Sequence, residues 1–593
     1  MPARLAFQEG TPYSEEFGDV FHSASGGPAQ ARHVFLAGNG LPQRWQGRER
    51  FVVLETGFGL GINFLATWGA WRADPQRCRK LHFVSVEMHP FTADDLRLVH
   101  QRYPDLAREA AELHARWPML VPGAHRLEFD AGSVVLTLFF ADVKIVRDLT
   151  LAADAIYLDG FSPAKNPDMW SPALTRSLSR LAAPGASVAT WSVAAPVRMA
   201  LETAGFAVQK RAGFGSKREM LMARLERPGK VLSSLKTRKA TVVGAGLAGA
   251  AACERLCARG WEVHLVERHA EPAQEASGNH AGTFHPIVTP DDSVFARMTR
   301  AGFLTSLSHW GKYAALRWDR CGVLQLARND KELDSQQAAM AALGLPAHYA
   351  AFVSREEAAA HAGVPVASGG LWFPQGGWIQ PRSLVRALLD ACGDRLRTSF
   401  GEELRVLPHE GVVILANSDG AMRLHPVPDL RLRRVRGQVS HLPAELIDAP
   451  RVVVLRGGFV LPPVAGVCVV GASYDLDDDD PALRASSHAG NLERLRGILP
   501  AASPERFVEG RVGFRSVAPD RLPIVGRLEE NLYALCALGS RGLVWSPLAA
   551  ELLASELEGE PLPIEGKLAE ALHPARFARR AQARRAGRRE GPT

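Results

Sequence analysis

No stretch of the sequence reaches the ~18 to 20 unbroken apolar residues that a membrane span requires, so no membrane partner is expected. The N-terminal residues lack a basic segment followed by an apolar run, so no secretory signal is expected either. Cysteine is sparse: Cys78, Cys253, Cys257, Cys321, Cys392, Cys468 and Cys536 are scattered and form no CxxC pair. That pattern argues against a disulfide framework and a zinc site, and fits reduced thiols in a cytoplasm. No metal is expected. Cys253 and Cys257, one helical turn apart with no His cluster nearby, read as small packing residues. Excess charge is also modest, at +7 over 593 residues. Much of it sits in the tail, in Arg576, Arg579, Arg580, Arg584, Arg585, Arg588 and Arg589. Such a tail reads first as a solvated, flexible terminus and second as a nucleic-acid contact.

The chain is too long for one hydrophobic core, and two glycine-rich turns organise it. FVVLETGFGLG occupies 51–61 and ATVVGAGLAGA occupies 240–250, each with a strand-like apolar run before it. Between them, LERPGKVLSSLKTRK is polar, basic and broken by Pro and Gly, which is the composition of a linker. Alternating strand and helix patterns on both sides predict two α/β units.

In the first turn Gly57, Gly59 and Gly61 alternate after a hydrophobic strand that ends at Glu55. Glycines let the backbone bend sharply and approach a ligand at the carboxyl end of a parallel strand. The next strand, LHFVSVE, ends in Glu87, whose carboxylate can accept hydrogen bonds from both hydroxyls of a ribose. A nicotinamide site would more often show GxGxxG; alternate glycines fit an S-adenosylmethionine site better. Further on, AIYLDGFSPAKNPDMW runs a strand into Asp159, followed by Lys165, Asn166, Asp168 and Trp170. A polar group there can orient an amine for methylation, although a strand-end Asp is also a common helix cap.

The second turn is a dinucleotide fingerprint in full context, with Gly244, Gly246 and Gly249 between a strand and a helix. Gly244 permits the bend, Gly246 admits the pyrophosphate, and Gly249 lets helix and strand pack. WEVHLVE then ends in Glu267, at the offset where a carboxylate meets the adenosine ribose. The Gly/Asn/His-rich segment EASGNHAGTFHP and the late turn GSRGL, with Gly539 and Gly542, favour FAD over NAD.

Together these segments resemble a known family. HVFLAGNGLPQRW, ETGFGLGINFL, VEMHPF and YLDGFSPAKNPDMW are similar to the methyltransferase half of the bacterial bifunctional tRNA-modifying MnmC family. ASGNHAGTFHP, GGWIQP, VRGQVS, GASY and GSRGL resemble its D-amino-acid-oxidase-like half, in the expected order. Leu60 stands where that family often has Thr, and Ala141 where Gly is usual. The resemblance implies a class I, Rossmann-like methyltransferase domain over 1–226, a linker over 227–238 and an oxidoreductase over 239–566. The oxidoreductase would be an FAD-binding Rossmann domain with an inserted β-rich substrate domain, and 567–593 a basic tail.

The resemblance further implies FAD and S-adenosylmethionine as cofactors. Glu55, Gly57, Gly59, Gly61, Glu87 and Asp142 would serve the methyl donor, with Asp142 facing adenine. Gly244, Gly246, Gly249, Glu267, Gly539 and Gly542 would serve the flavin. Asp159 would act in methyl transfer. Arg515 and Arg541 are the candidates for a substrate carboxylate, because a guanidinium pairs with it in bidentate fashion. The implied substrate is the wobble uridine in the anticodon loop of tRNA. Its carboxymethylaminomethyl group would be cut oxidatively to aminomethyl and then N-methylated. DNA is not expected as a partner, and two self-sufficient cores lead us to expect a monomer. Two rivals stand beside this reading: an amine methyltransferase fused to a glycine- or sarcosine-type oxidase of small molecules, and an RNA-binding scaffold with one inactive half.

Overall fold

The computed structural model describes residues 2–235, 237–502, 504 and 509–589, and of 584 and 586–589 the backbone alone. Two compact units emerge: Met1–Ser234 with Leu557–Lys567, and Leu235–Glu556 with Leu568–Thr593.

The first unit is built on an eight-stranded sheet. Its strands are β1 (Arg50–Glu55), β2 (Lys80–Glu87), β3 (Gly123–Phe129), β4 (Val134–Phe140), β5 (Ala153–Tyr157), β6 (Ala182–Thr190), β7 (Phe206–Ala212) and β8 (Glu219–Leu225). They lie in the order β7-β8-β6-β5-β1-β2-β4-β3. β1 pairs in parallel with β2 and β5, β2 with β4, and β5 with β6, whereas β3, β7 and β8 run antiparallel to their neighbours. Strands covered on both faces read as continuous apolar runs, and accordingly Phe51–Leu54 and all of β4 are buried. Helix α1 (Ile62–Ala73) follows β1 directly, putting its N-terminal turn at the carboxyl end of the parallel strands.

Residues 557–567 pack with this first unit, not with the oxidoreductase where the sequence reading put 557–566. A buried charge explains the placement. Glu560, 2% exposed, meets Lys80 Nζ at 2.7 Å and Arg126 at 3.6 Å. The Leu562 N–H also donates to the Thr150 carbonyl at 3.0 Å.

In the second unit, β9 (Lys239–Val243), β10 (Glu262–Glu267), β11 (Leu396–Phe400), β12 (Val412–Leu415), β13 (Ile524–Glu529) and β14 (Leu532–Cys536) form a sheet ordered β11-β10-β9-β12-β14-β13. All its pairs are parallel except β13–β14. Helix α2 (Leu247–Cys257) is buried along its whole length, with Cys253 and Cys257 among its packing residues. A separate nine-stranded sheet, whose longest pair joins Arg433–Pro443 to Glu509–Val517, supplies the β-rich insertion. The basic tail departs from the expected flexible terminus. Gly566–Leu572 and Arg576–Arg589 are helical, and Arg576, 4% exposed, is held by Asp520 at 2.9 Å. The side chains of Arg584, Arg588 and Arg589 lie outside the described residues.

Candidate active sites

The first glycine turn borders a cavity of about 1190 Å³, lined by Gly57, Gly59, Glu87, Asp142, Asp159 and Trp191 among others. Gly59 (φ 50°) and Gly61 (φ 71°) adopt left-handed backbone that L side chains resist. At Gly57 a β-carbon would meet the Asp159 carbonyl at 3.5 Å, an ordinary contact, so the conformational demand of the turn falls on Gly59 and Gly61. Glu87 steadies the turn, accepting from Gly59 N–H at 2.7 Å and from His89 N–H at 2.8 Å. Asp142 lines the wall, its carboxylate accepting from Lys144 N–H at 2.8 Å.

Asp159 sits at the end of β5 with three donors on its carboxylate: Asn63 Nδ2 at 2.9 Å, Gly160 N–H at 2.8 Å and Trp191 Nε1 at 3.2 Å. Burial nevertheless dominates and pushes its pKa up to about 6, so it is ionised at neutral pH but only narrowly. Glu55 differs from the sequence expectation: it does not line the cavity but lies fully buried beneath it. Its carboxyl accepts from Asn63 Nδ2 at 2.9 Å and Ser85 Oγ at 2.7 Å. Burial, reinforced by the nearby Asp159 and Glu87, raises its pKa to about 8 against those two hydrogen bonds. Asn63 therefore ties a neutral acid to an ionised one through a single amide nitrogen.

The second glycine turn opens on a cavity of about 920 Å³ in the second unit. Gly244 has φ 104°, and a β-carbon there would press on the Ala416 carbonyl at 2.9 Å. Gly249 does not line the cavity; a side chain on it would overlap the Gly244 carbonyl, so its part is to seat α2 against the turn. Glu267 repeats the arrangement of Glu87, accepting from Ala245 N–H at 2.7 Å and His269 N–H at 2.9 Å. Gly246, Gly539 and Gly542 line the same cavity. So do Thr283, His285, Asn417 and Ser516, each with a buried polar side-chain atom that has no hydrogen-bond partner among the described residues. Orphaned groups of this kind call for a polar occupant. A long polar cofactor lying across the glycine turn fits them.

Arg515 and Arg541 line this cavity, and neither makes an ion pair among the described residues. Gly437 makes room for Arg515: a β-carbon there would lie 2.7 Å from both terminal guanidinium nitrogens. Arg541 donates only weakly, to the His285 carbonyl at 3.4 Å. Burial lowers the pKa of both, that of Arg541 to about 10, leaving them charged at neutral pH. His285, whose pKa burial and Arg541 drive well down, stays neutral beside Arg541.

Comparison with known proteins agrees with this division. Residues 239–556 match the FAD dependent oxidoreductase family, and 104–226 match an S-adenosyl-L-methionine-dependent methyltransferase family. A tRNA 5-methylaminomethyl-2-thiouridine biosynthesis bifunctional protein MnmC from Azoarcus sp. (strain BH72) is 49% identical, covering 97% of this chain and 98% of its own. The chain belongs to the MnmC family. The MnmC of Aromatoleum aromaticum is 48% identical over 97% of this chain and 98% of its own length. Glycine oxidase from Bacillus cereus ATCC 14579 aligns with 55% of this chain and 98% of its own, at 19% identity and a TM-score of 0.47. FAD and S-adenosylmethionine are accordingly the cofactors of this MnmC family member. The first glycine turn and Glu87 lie upstream of the matched methyltransferase stretch but inside the span shared with the MnmC relatives.

Two residues at the first site escaped the sequence reading. Asn63 was hidden inside an apolar helix segment, although a polar residue in the first turn after a glycine loop faces the strand ends. Trp191, just past β6, holds at its strand end the position that Asp159 holds past β5.

Proposed function

We propose that the chain completes a wobble-uridine modification in the anticodon loop of tRNA by two consecutive reactions. The carboxymethyl group of 5-carboxymethylaminomethyl-(2-thio)uridine is removed oxidatively. The resulting aminomethyl group then receives one methyl on nitrogen. FAD supplies the two-electron acceptor of the first reaction, and S-adenosylmethionine the methyl group of the second.

In the oxidoreductase, Arg515 and Arg541 bind the carboxylate of the N-substituted glycine moiety, and the neutral His285 adds no competing charge. Gly244, Gly246, Gly539 and Gly542 admit the cofactor backbone, Gly249 seats the helix behind it, and Glu267 meets its ribose. In the methyltransferase, Gly57, Gly59 and Glu87 cradle the methyl donor, Gly61 turns the backbone into the helix behind it, and Asp142 lies beside its base. Asp159 accepts an amine N–H at its carboxylate oxygen and so aims the nitrogen lone pair. Glu55 acts from below, through Asn63. The observation that carries the reading is the charge contrast between the cavities. One presents two half-buried arginines with no ion-pair partner among the described residues, the other a half-buried aspartate at its floor, matching an acidic substrate and its aminic product. The enzyme works as a cytoplasmic monomer in this reading.

The test is mass spectrometry of nucleosides from tRNA carrying carboxymethylaminomethyluridine, incubated with the protein with and without S-adenosylmethionine. Aminomethyluridine without the donor, converted to methylaminomethyluridine with it, is expected. Unchanged tRNA together with oxidation of free N-substituted glycines would refute the proposal.

A further inference from the structure

The wall of the methyltransferase cavity is acidic. Glu15, Glu16, Asp19, Glu87, Asp159 and Asp168 all line it. Such a wall attracts an amine but repels the phosphate of any nucleotide that carries one. The lysines reaching those carboxylates are already engaged, Lys144 with Asp142 and Asp168, Lys165 with Asp19. Lys217 is different. It lines the cavity, is exposed, and makes no ion pair among the described residues. Its Nζ lies 5.0 Å from the ring centroid of Trp191, the residue whose Nε1 holds Asp159.

The position of Lys217 is built into the backbone. It sits at the tip, 213–218, of the β7–β8 hairpin, closed by hydrogen bonds from Gly213 N–H to the Arg218 carbonyl at 3.0 Å and from Lys217 N–H to the Phe214 carbonyl at 3.1 Å. Gly215 takes φ 60°, and a β-carbon there would meet Ser25 Oγ at 2.7 Å, so the tip seats closely on the segment around Ser25. Gly213 has no room for a side chain, which would strike the Lys217 and Glu219 backbone. Asp159, the Trp191 ring and the Lys217 ammonium thus form a row from the cavity floor to its rim.

We propose that this row reads the methyl-acceptor nucleotide: amine on Asp159, base against the Trp191 ring, and backbone phosphate on Lys217. Single-stranded RNA is commonly held by an aromatic platform with a cation beside it. The inference rests on the tRNA reading above and specifies which residues of the site select a nucleotide over a free amine.

Lys217→Met keeps the aliphatic stem over Trp191 and removes the charge; Lys217→Arg keeps the charge. Each is assayed for methylation of tRNA carrying aminomethyluridine across a salt series, and for S-adenosylmethionine affinity by calorimetry. The Met variant is expected to raise KM for tRNA about tenfold with kcat and methyl-donor affinity unchanged, and to flatten the logarithmic salt dependence by about 0.7 to 0.9, one phosphate contact. The Arg variant is expected to restore both. A Met variant with wild-type KM and salt dependence would reduce Lys217 to a packing residue and overturn the proposal. So would a loss of methyl-donor affinity at unchanged tRNA KM, which would assign the ammonium to the donor's carboxylate. If the wild-type protein methylates free amines but no tRNA, the function itself falls and this inference with it.

Discussion

Glu55→Gln should stabilise the methyltransferase unit at neutral pH, although it alters a residue at the heart of the site. Glu55 is fully buried, and its pKa rises from 4.5 to about 8, chiefly through burial and further through Asp159 and Glu87. A carboxyl with a raised pKa keeps its proton in the folded state where the unfolded chain has lost it. Folding therefore takes up a proton between pH 4.5 and about 8, and this contribution to stability is lost as pH rises through that window. At ~1.36 kcal/mol per unit, the cost grows by about 3 kcal/mol between pH 5.5 and 8. Glutamine mimics the neutral acid: its carbonyl accepts from Asn63, and its amide donates to Ser85 Oγ. It has nothing to deprotonate, so this slope disappears. Calorimetry at pH 5.5 and 8 measures the effect, with the transition that S-adenosylmethionine moves upward identifying the first unit. The stability gap between variant and wild type is expected to widen by about 3 kcal/mol in the variant's favour at pH 8. Parallel pH curves, or a variant equally weakened at both values, would refute the argument and mean that Glu55 is ionised in the folded protein.

Asp159→Asn should lower methyl transfer by about 10²-fold or more while leaving flavin-dependent oxidation intact. The wild-type methylation rate should fall along an acid limb near pH 6, where the carboxylate protonates, and a pH profile of kcat checks this. Arg541→Ala should raise KM for carboxymethylaminomethyl tRNA by roughly 10²-fold, within the ~2 to 5 kcal/mol expected for a buried charge pair, with the flavin spectrum retained. Glu560→Ala removes the buried carboxylate that Lys80 and Arg126 both meet. It should destabilise the first unit by about 3 to 5 kcal/mol, read from the same donor-sensitive transition.

Both glycine turns, with the acids ending the following strands, were legible in the sequence because each is a local requirement. Gly59, Gly61 and Gly244 have positive φ, and Glu87 and Glu267 each cap backbone N–H groups that follow from the strand–turn geometry. Asn63 was not legible, because its role depends on β1 and β5 lying side by side so that Glu55 and Asp159 reach one amide. Nor was the helical tail: Arg576 looked like one of a run of solvated arginines until Asp520, 56 residues earlier, met it.

The order of residues along the chain already carries the two α/β units, their glycine turns and the family, since these rest on short-range backbone geometry and on motifs that keep their order along the chain. Tertiary structure alone decided which charged groups are neutral, which are paired and which stand free. Burial moved Glu55 out of the cavity and kept it protonated, and packing returned residues 557–567 to the first unit through Glu560. It also left Lys217 on the Trp191 ring with no ion-pair partner among the described residues. Desolvation and Coulomb energies depend on distances across the folded core, and residue spacing along the chain carries almost no record of those distances.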